Sequence, residues 1–385
     1  MHDYPITSRF AAIIFSLCCA LAMISGAQAG LIFAGGDGEY GYPAFGRQVN
    51  SPAAAPSNFL AGGPTLYEPR AIAYGRDGNI YVLEGEDYSD LGPVGYPLVY
   101  KYSRSGQYMS AFIGRGTYGS GPSTVDLTVD NNIDPVTMAI GPDGNLYMAI
   151  MEGDSTLAPF PAYGDNGMVL RFNGQTGAYM GIFVANGAGD SGNNEQIGEP
   201  KSLAFDTDGN LYVGNTNDIE GEDVLKFDSS GAYVSTVIAS TYGLDEASGL
   251  TFHNGKLYVA NQDGNNVLQV TFNPNGSVNN ISEFVAANAG GLEEPLAIAF
   301  GPDGHFYAIS SDNEAVLRFN GSSGAFMDSY VTAGDTANYD PYGFIFKFDE
   351  PSVIPTLGQW SMIATAVLLL AAGGYWLRRR NRQHV

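Results

Sequence analysis

A unit that recurs five times along the chain is the feature that most constrains the fold. Its clearest copy, residues 294–331, contains four short apolar runs separated by polar turns. Each copy has a turn of the Asp-Gly-Asn type after its first run, and a tyrosine two residues after the triplet. The turn glycines are Gly78, Gly144, Gly209, Gly255 and Gly304. Four strands joined by tight turns form one antiparallel sheet, and a single sheet cannot bury both faces, so the copies must pack on each other.

The strands within each unit are apolar on both faces, as in Ile80-Tyr81-Val82-Leu83. This pattern is typical of blades stacked face to face around an axis, and it predicts an all-β β-propeller of four-stranded antiparallel blades. The run Phe344-Ile345-Phe346 resembles a further first strand, and apolar runs near residues 31–61 resemble its partners. We therefore predict a six-bladed ring whose sixth blade combines both ends of the chain. The alternative is five blades with frayed ends.

The first 29 residues resemble a secretory signal peptide. Arg9 precedes an apolar run at residues 10–24, and Ala27-Gln28-Ala29 has the small-x-small pattern of a cleavage site. We predict a signal helix at residues 1–29 and a propeller at residues 30–350; an uncleaved membrane anchor is the alternative. The cysteines, Cys18 and Cys19, both lie in the signal segment, so the mature propeller has neither thiol nor disulfide.

The C-terminal segment has the pattern of a membrane anchor. Residues 351–359 form a linker, and residues 360–377 carry no charge; as a helix they would span about 27 Å, close to the thickness of a bilayer core. The basic tail, residues 378–385, follows at once, which places it in the cytoplasm and the repeats outside. A buried core helix is the alternative to this transmembrane helix. The basic stop-transfer residues are Arg378, Arg379, Arg380 and Arg382.

Charge and composition exclude several classes of function. The formal net charge of −23 would repel nucleic acid, so we predict no nucleic-acid partner. In the mature propeller the only histidines are His253 and His305, which excludes a three-histidine zinc site. The chain has no Gly-x-Ser-x-Gly elbow and no phosphate-binding loop. A catalytic site is therefore not predicted, and we expect that the protein is not an enzyme.

Acidic and amide residues follow the second strand of each unit. If the blades are equivalent, these residues meet at one rim of the ring, where their oxygens suit Ca²⁺. Calcium is thus the one candidate cofactor, and the alternative is a solvated acidic rim that keeps the protein soluble. The candidate metal ligands are Glu84, Glu152, Asn215, Asn261 and Asp312.

Two resemblances to known families add to these interpretations. The C-terminal segment resembles the IPTL-CTERM protein-sorting domain, although Ser361 stands where that family usually has glycine. The resemblance implies processing by an exosortase-type membrane protease after export. The repeats resemble those of NHL-type propellers over roughly residues 65–350. The sorting-motif residues are Ile354, Pro355, Thr356, Leu357 and Trp360.

Together, these patterns predict an exported protein of the cell envelope or extracellular space, transiently anchored in the inner membrane by its C-terminal helix. Its predicted role is that of a binding or scaffold protein for an extracellular polymer or protein. The alternative function is a calcium-dependent hydrolase similar to lactonases, which use an oxygen-lined metal centre.

Overall fold

The computed structural model describes residues 30–35, 47–49, 57–64, 66, 69–85, 97–120, 125–127, 133–152, 166–190, 195–216, 222–332 and 341–347. The chain divides into two compact units, Met1–Lys347 and Phe348–Val385. The predicted signal peptide, linker, sorting motif, transmembrane helix and basic tail all lie outside the described residues.

The described residues form β-strands joined mostly by tight turns. The first three are β1 (Gly30–Gly35), β2 (Arg47–Val49) and β3 (Ser57–Asn58). Blade 1 contains β4 (Pro69–Tyr74), β5 (Ile80–Glu84), β6 (Val99–Tyr102) and β7 (Tyr108–Ile113). After the small pair β8 (Thr117–Tyr118) and β9 (Val125–Asp126), blade 2 contains β10 (Ile133–Ile140), β11 (Leu146–Glu152), β12 (Asn166–Phe172) and β13 (Tyr179–Val184).

The second half of the ring repeats this plan. After the pair β14 (Gly189–Asp190) and β15 (Glu195–Gln196), blade 3 contains β16 (Glu199–Phe205), β17 (Leu211–Thr216), β18 (Asp223–Phe227) and β19 (Tyr233–Ile238). Blade 4 contains β20 (Ala247–His253), β21 (Lys256–Asn261), β22 (Asn266–Phe272) and β23 (Val278–Val285). Blade 5 contains β24 (Pro295–Phe300), β25 (Phe306–Ser310), β26 (Ala315–Phe319) and β27 (Phe326–Val331), and β28 (Pro341–Lys347) follows it.

A composite sheet joins the two ends of the described chain. Its strand order is β28-β1-β2-β3, and β28 runs antiparallel to β1 with Phe346 opposite Leu31 and Phe344 opposite Phe33. The strand β28 also contacts β4 of blade 1 and β24 of blade 5. The predicted pairing of Phe344-Ile345-Phe346 with the N-terminal strands is therefore confirmed.

The predicted fold class needs a correction. The protein is an all-β propeller, but five blades are each built from four consecutive strands rather than six, and the composite sheet of the chain ends stands beside them. The described residues contain no α-helix; the only helical turns among them are the 3₁₀ segments Ser240–Tyr242 and Ala289–Gly291. None of the described helical segments is long and apolar enough to cross a membrane. The blade count differs because β28 and β1–β3 come from opposite ends of the described chain and do not form a consecutive repeat.

The hydrophobic core lies between neighbouring sheets rather than within one layer. One cluster joins blades 1 and 2 through Tyr81 and Met148, and another joins blade 5 to β28 through Tyr307 and Phe346. The second strand of each blade is buried on both sides; in β5 every residue is buried. This double burial explains why the second strands lack polar alternation in the sequence.

The repeated turn is held by a side-chain network. In blade 1, Asp77 accepts hydrogen bonds from Tyr81 Oη (3.0 Å) and Asn79 Nδ2 (2.8 Å), and Lys101 Nζ lies 2.8 Å from its carboxylate. Burial acts to raise the pKa of Asp77, but the hydrogen bonds from Lys101, Asn79 and Tyr81 outweigh it and lower the pKa to about 2. Tyr147 and Tyr307 bond to Asp143 and Asp303 in the same way. The recurring Asp and Tyr are thus explained by turn structure.

Candidate functional site

Three of the predicted metal ligands occupy one equivalent position. Glu84, Asn215 and Asn261 each lie at or near the end of the second strand of a blade. Each pairs with the first or second residue of the first strand in its own blade. The paired residues are Pro69, Pro200 and Ala247, respectively. All three side chains are at least 95 % buried.

The other two predicted ligands are displaced from this position. In blade 2 the residue opposite Pro135 is Ile150, and in blade 5 the residue opposite Pro295 is Ser310. Glu152 lies two residues farther along β11, and the exposed Asp312 lies two residues beyond the end of β25. The structure therefore does not place the five candidates in one layer.

Asn215 connects three parts of blade 3. Its Oδ1 accepts the backbone N–H of Gly198 at 2.8 Å, and its Nδ2 donates to Asp223 Oδ1 at 3.0 Å. Gly198 belongs to the segment that enters the first strand, so the amide fixes that segment to the second and third strands. A buried amide with both ends bonded satisfies polar groups that would otherwise be costly to bury.

Asn261 and Ser310 make the corresponding contacts in blades 4 and 5. Asn261 Oδ1 accepts the backbone N–H of Asp245 at 2.6 Å, and its Nδ2 donates to Asn266 Oδ1 at 2.9 Å. Ser310 Oγ accepts the backbone N–H of Glu293 at 2.8 Å. We call Asn215, Asn261 and Ser310 the entry clamps, because each holds the chain as it enters its blade.

The clamps bear on the predicted calcium site. Among the residues that the structure describes, no group of three or more His, Cys, Asp or Glu side chains is arranged to hold a metal ion. The oxygens of Asn215 and Asn261 already accept backbone hydrogen bonds. Calcium binding by Glu84, Glu152, Asn215, Asn261 and Asp312 stays a prediction.

The first strands of the blades surround an axial channel with a cavity of about 480 Å³. Hydrogen bonds connect neighbouring first strands around it. Ser202 Oγ donates to the carbonyl of Ala247 at 2.6 Å, and Ser248 Oγ donates to the carbonyl of Pro295. Arg70 Nη1 makes a longer contact, 3.5 Å, with the carbonyl of Pro135. These polar channel residues thus help to hold the ring together.

One mouth of the channel carries a charged group of side chains. Lys201 Nζ lies 3.4 Å from Glu199 Oε2 and 3.2 Å from Glu246 Oε1, and both Lys201 and Glu246 line the cavity. Burial acts to lower the pKa of Lys201, but the carboxylates of Glu246 and Glu199 outweigh it and raise the pKa. Lys201 therefore stays protonated at neutral pH.

Glu222 is the most perturbed carboxyl group near this mouth. Burial raises its pKa to about 7, and the negative charges of Asp245, Glu246 and Asp263 add to the effect. Its Oε2 is buried and has no hydrogen-bond partner among the residues that the structure describes. A carboxyl group that titrates near neutral pH beside a cavity can exchange a proton or accept a cation, so this mouth is the candidate functional site.

The sequence prediction missed Lys201, Glu222 and Glu246. One available signal was the acidic residue directly before each first strand, as in Glu199-Pro200 and Glu294-Pro295. Glu246 and Glu294 both have positive φ, 59° and 44°, which is uncommon for residues other than glycine. Glu222 directly precedes the third strand of blade 3, and Glu314 takes the same place before the third strand of blade 5.

Comparisons with known proteins support the tail and the architecture separately. The model of the IPTL-CTERM motif matches residues 354–380. The chain carries an IPTL-CTERM motif. This sorting signal indicates an exported protein, and it is consistent with an exosortase partner. A search of curated proteins finds no match to the chain.

Several solved structures share the fold at low sequence identity. A nidogen/laminin complex aligns with 15% identity over 83% of this chain and 98% of that chain, with a TM-score of 0.53. A protein from Bacteroides fragilis, provisionally described as a 6-phosphogluconolactonase, aligns with 13% identity over 85% and 99%, with a TM-score of 0.51. A protein of unknown function from Bacteroides caccae aligns with 13% identity over 82% and 98%, with a TM-score of 0.50. At these identities the similarity establishes the architecture alone.

Proposed function

We propose that the protein is an exported propeller of the cell envelope that acts as a binding or scaffold protein for an extracellular polymer or protein. An exosortase-type protease would cleave the C-terminal tail after transient anchoring in the inner membrane. The observation that carries this proposal is the IPTL-CTERM match at residues 354–380, which follows a propeller domain. The NHL-type character of the repeats is part of the same proposal.

The entry clamps support a binding role over metal-dependent hydrolysis. Propellers of the lactonase type need several oxygen ligands that converge on one ion. Here Asn215 and Asn261, two of the five candidate ligands, bond to backbone and neighbouring side chains. These hydrogen bonds stabilise the blades and need no metal ion to explain them. The surface grooves and loops are then the parts of the protein that are available to ligands.

The intact mass of the protein from membrane, envelope and medium fractions tests the sorting step. We expect a mature product that begins at Gly30 and ends within residues 354–359, found outside the inner membrane. A strain without exosortase activity should accumulate the longer form in the inner membrane. An unprocessed C-terminus in every fraction of the wild-type strain would contradict the proposal.

A calcium-dependent hydrolase is the second candidate, and Glu222 is the observation that favours it. The carboxylates of Asp245, Glu246 and Asp263 create negative potential at the channel mouth, which adds to the effect of burial in raising the pKa of Glu222. A divalent cation would relieve the repulsion among these groups, because it favours their ionised forms.

The variant Glu222→Gln tests this candidate through pH dependence. In the wild type the folded pKa of about 7 exceeds the ordinary value of 4.5, so the folded state retains a proton that the unfolded state has lost. The contribution of Glu222 to stability is therefore greatest below pH 4.5 and decreases as the pH rises to about 7. We expect Glu222→Gln to raise the melting temperature at pH 8 and to change it little at pH 4.

Calcium titration of the same two proteins separates the candidate functions. If the mouth binds calcium, 1 mM Ca²⁺, about a thousandfold above a micromolar dissociation constant, should raise the wild-type melting temperature at pH 8. Glu222→Gln should show a smaller increase. Equal melting curves with and without calcium in both proteins would rule out the metal-dependent candidate and leave the binding role.

A further inference from the structure

A second cavity lies between blades 3 and 4, on the side where first and second strands join. Its volume is about 760 Å³, which exceeds that of the axial channel. Residues from the turns of blades 2, 3 and 4 line it. We call it the blade 3–4 groove, and define it by Phe205, Lys226, Phe252, Asn254, Phe272 and Asn275.

Beside the groove, the hairpins of blade 4 differ from those of blades 2 and 5. In blade 2 the hairpin between the third and fourth strands packs closely on the first turn: a Cβ added to Gly174 would clash with the carbonyl oxygen of Gly144. Gly321 and Gly304 make the same close approach in blade 5. The other three blades lack this glycine, and Arg104, Ser229 and Pro274 take its place in blades 1, 3 and 4.

The first turn of blade 4 is also shorter. Asn254 and Gly255 connect β20 to β21 directly, and both have positive φ, 50° and 73°. Asn254 and Gly255 of this two-residue turn line the groove.

Aromatic rings form the floor of the groove. Phe252 and Phe272 stack with centroids 6.2 Å apart and an angle of 23° between their planes. Both also contact Tyr212, at 4.7 and 6.0 Å, with edge-to-face geometry. The tyrosine and the core behind it fix the two rings, which remain only half-buried. Such a fixed pair offers aromatic surface to the groove at low entropic cost.

The rim of the groove is polar, and its charged residues are Asp206, Asp208 and Lys226. Asn254 and Asn275 are exposed on the blade 4 side. On the blade 3 side, Asp206 is occupied by its own loop: it accepts bonds from the N–H of Asn210 at 2.9 Å and from Asn210 Nδ2 at 2.8 Å. Lys226 Nζ lies 4.0 Å from the same carboxylate. The exposed Asp208 adds a carboxylate to the rim. Asn275 Oδ1 accepts bonds from the N–H and Oγ of Ser277, so its Nδ2 is the part of this amide that faces a ligand as a donor.

We propose that the blade 3–4 groove binds a neutral polysaccharide chain. The apolar C–H face of a sugar ring would lie on Phe252 and Phe272, and its hydroxyl groups would bond to the amides of Asn254 and Asn275. Pyranose rings combine a flat apolar face with a hydroxyl-rich edge, and the groove presents the same two surfaces side by side. The net charge of −23 disfavours a polyanionic glycan. This inference rests on the proposed role in polymer binding.

Isothermal titration of the full chain with cellohexaose, maltohexaose and laminarihexaose tests the proposal. We expect at least one of these neutral hexasaccharides to bind, and Phe272→Leu to weaken that binding about tenfold, because leucine keeps most of the apolar volume but lacks the ring face. The matched control is Phe326→Leu, which changes an exposed ring (41 % exposed) on the outer strand of blade 5 and should leave binding unchanged.

A second variant keeps the test decisive if Phe272→Leu does not fold. Asn254→Gly removes one rim amide at a position whose positive φ glycine tolerates, and it should weaken binding several-fold without unfolding. Absence of binding to all three hexasaccharides would overturn the proposal, as would equal binding by wild type and both groove variants. Preferential binding of a peptide or of a polyanion such as alginate would also overturn it. The processing experiment above does not depend on this result, so the two proposals can fail separately.

Discussion

Replacing Asn215 with alanine is expected to lower the free energy of unfolding by about 3 kcal/mol. The side chain is fully buried, and its loss removes bonds to the Gly198 N–H and to Asp223 Oδ1. The N–H would then lose its clamp partner, and the carboxylate would lose one of its donors inside the protein. Leaving buried polar groups without partners costs more than an average hydrogen bond contributes.

Chemical denaturation monitored by tyrosine fluorescence provides the measurement for Asn215→Ala. The control is Asn280→Ala on the outer strand of blade 4, where the side chain is exposed and a change of no more than about 0.5 kcal/mol is expected. If Asn215→Ala were as stable as the control variant, the clamp would have no structural role. The metal-ligand prediction for Asn215 would then gain support.

Phe346→Ala is expected to have an effect at least as large, about 3–5 kcal/mol. Phe346 is 6 % exposed, and its ring contacts Tyr307 at 4.9 Å and Phe344 at 5.7 Å. It lies on β28, a strand of the composite sheet that contacts blade 5, so its truncation leaves a cavity where the ring closes. The contact with Tyr307 is between sheets and has no substitute within one blade.

Thermal and denaturant unfolding of Phe346→Ala, with Phe326→Ala as the control, checks this expectation. Phe326 is 41 % exposed, so its truncation should cost far less than that of Phe346. We also expect proteases to cleave β28 in Phe346→Ala before they cleave the blades, because the closing strand is held by fewer neighbours. Equal loss of stability in the two variants would contradict the assigned role of β28.

Much of the fold was predictable because each repeat carries local signals. Turns such as Asp77-Gly78-Asn79 have a physical requirement for glycine at positive φ, so they reappear in every complete copy. The pairing of Phe344-Ile345-Phe346 with the N-terminal strands also followed from the sequence, since a lone apolar strand needs a partner. The number of blades and the terminal helices were not correctly predicted from the sequence. Both predictions depended on the composition of the chain ends, which lack the repeat.

The candidate site was less predictable for a geometric reason. The sequence shows where an apolar run ends, but not which residue lies opposite the start of the first strand. In blade 2 the second strand continues to Glu152, two residues past the equivalent position at Ile150. A shift of two residues keeps a side chain on the same face, so pattern alone cannot detect it. The charged channel mouth and the blade 3–4 groove arise from the packing of separate blades.

The composite sheet also sets the order in which the molecule can fold. Leu31 lies near the start of the propeller, yet its strand partner, Phe346, lies near the end. Blades 1 to 5 can form in sequence as the chain emerges, because each is made of consecutive strands. The ring closes only after β28 has been synthesised, and contacts between such distant segments form slowly. A chain that stops before Pro341 therefore leaves β1 paired with β2 alone, so closure distinguishes complete propellers from truncated ones.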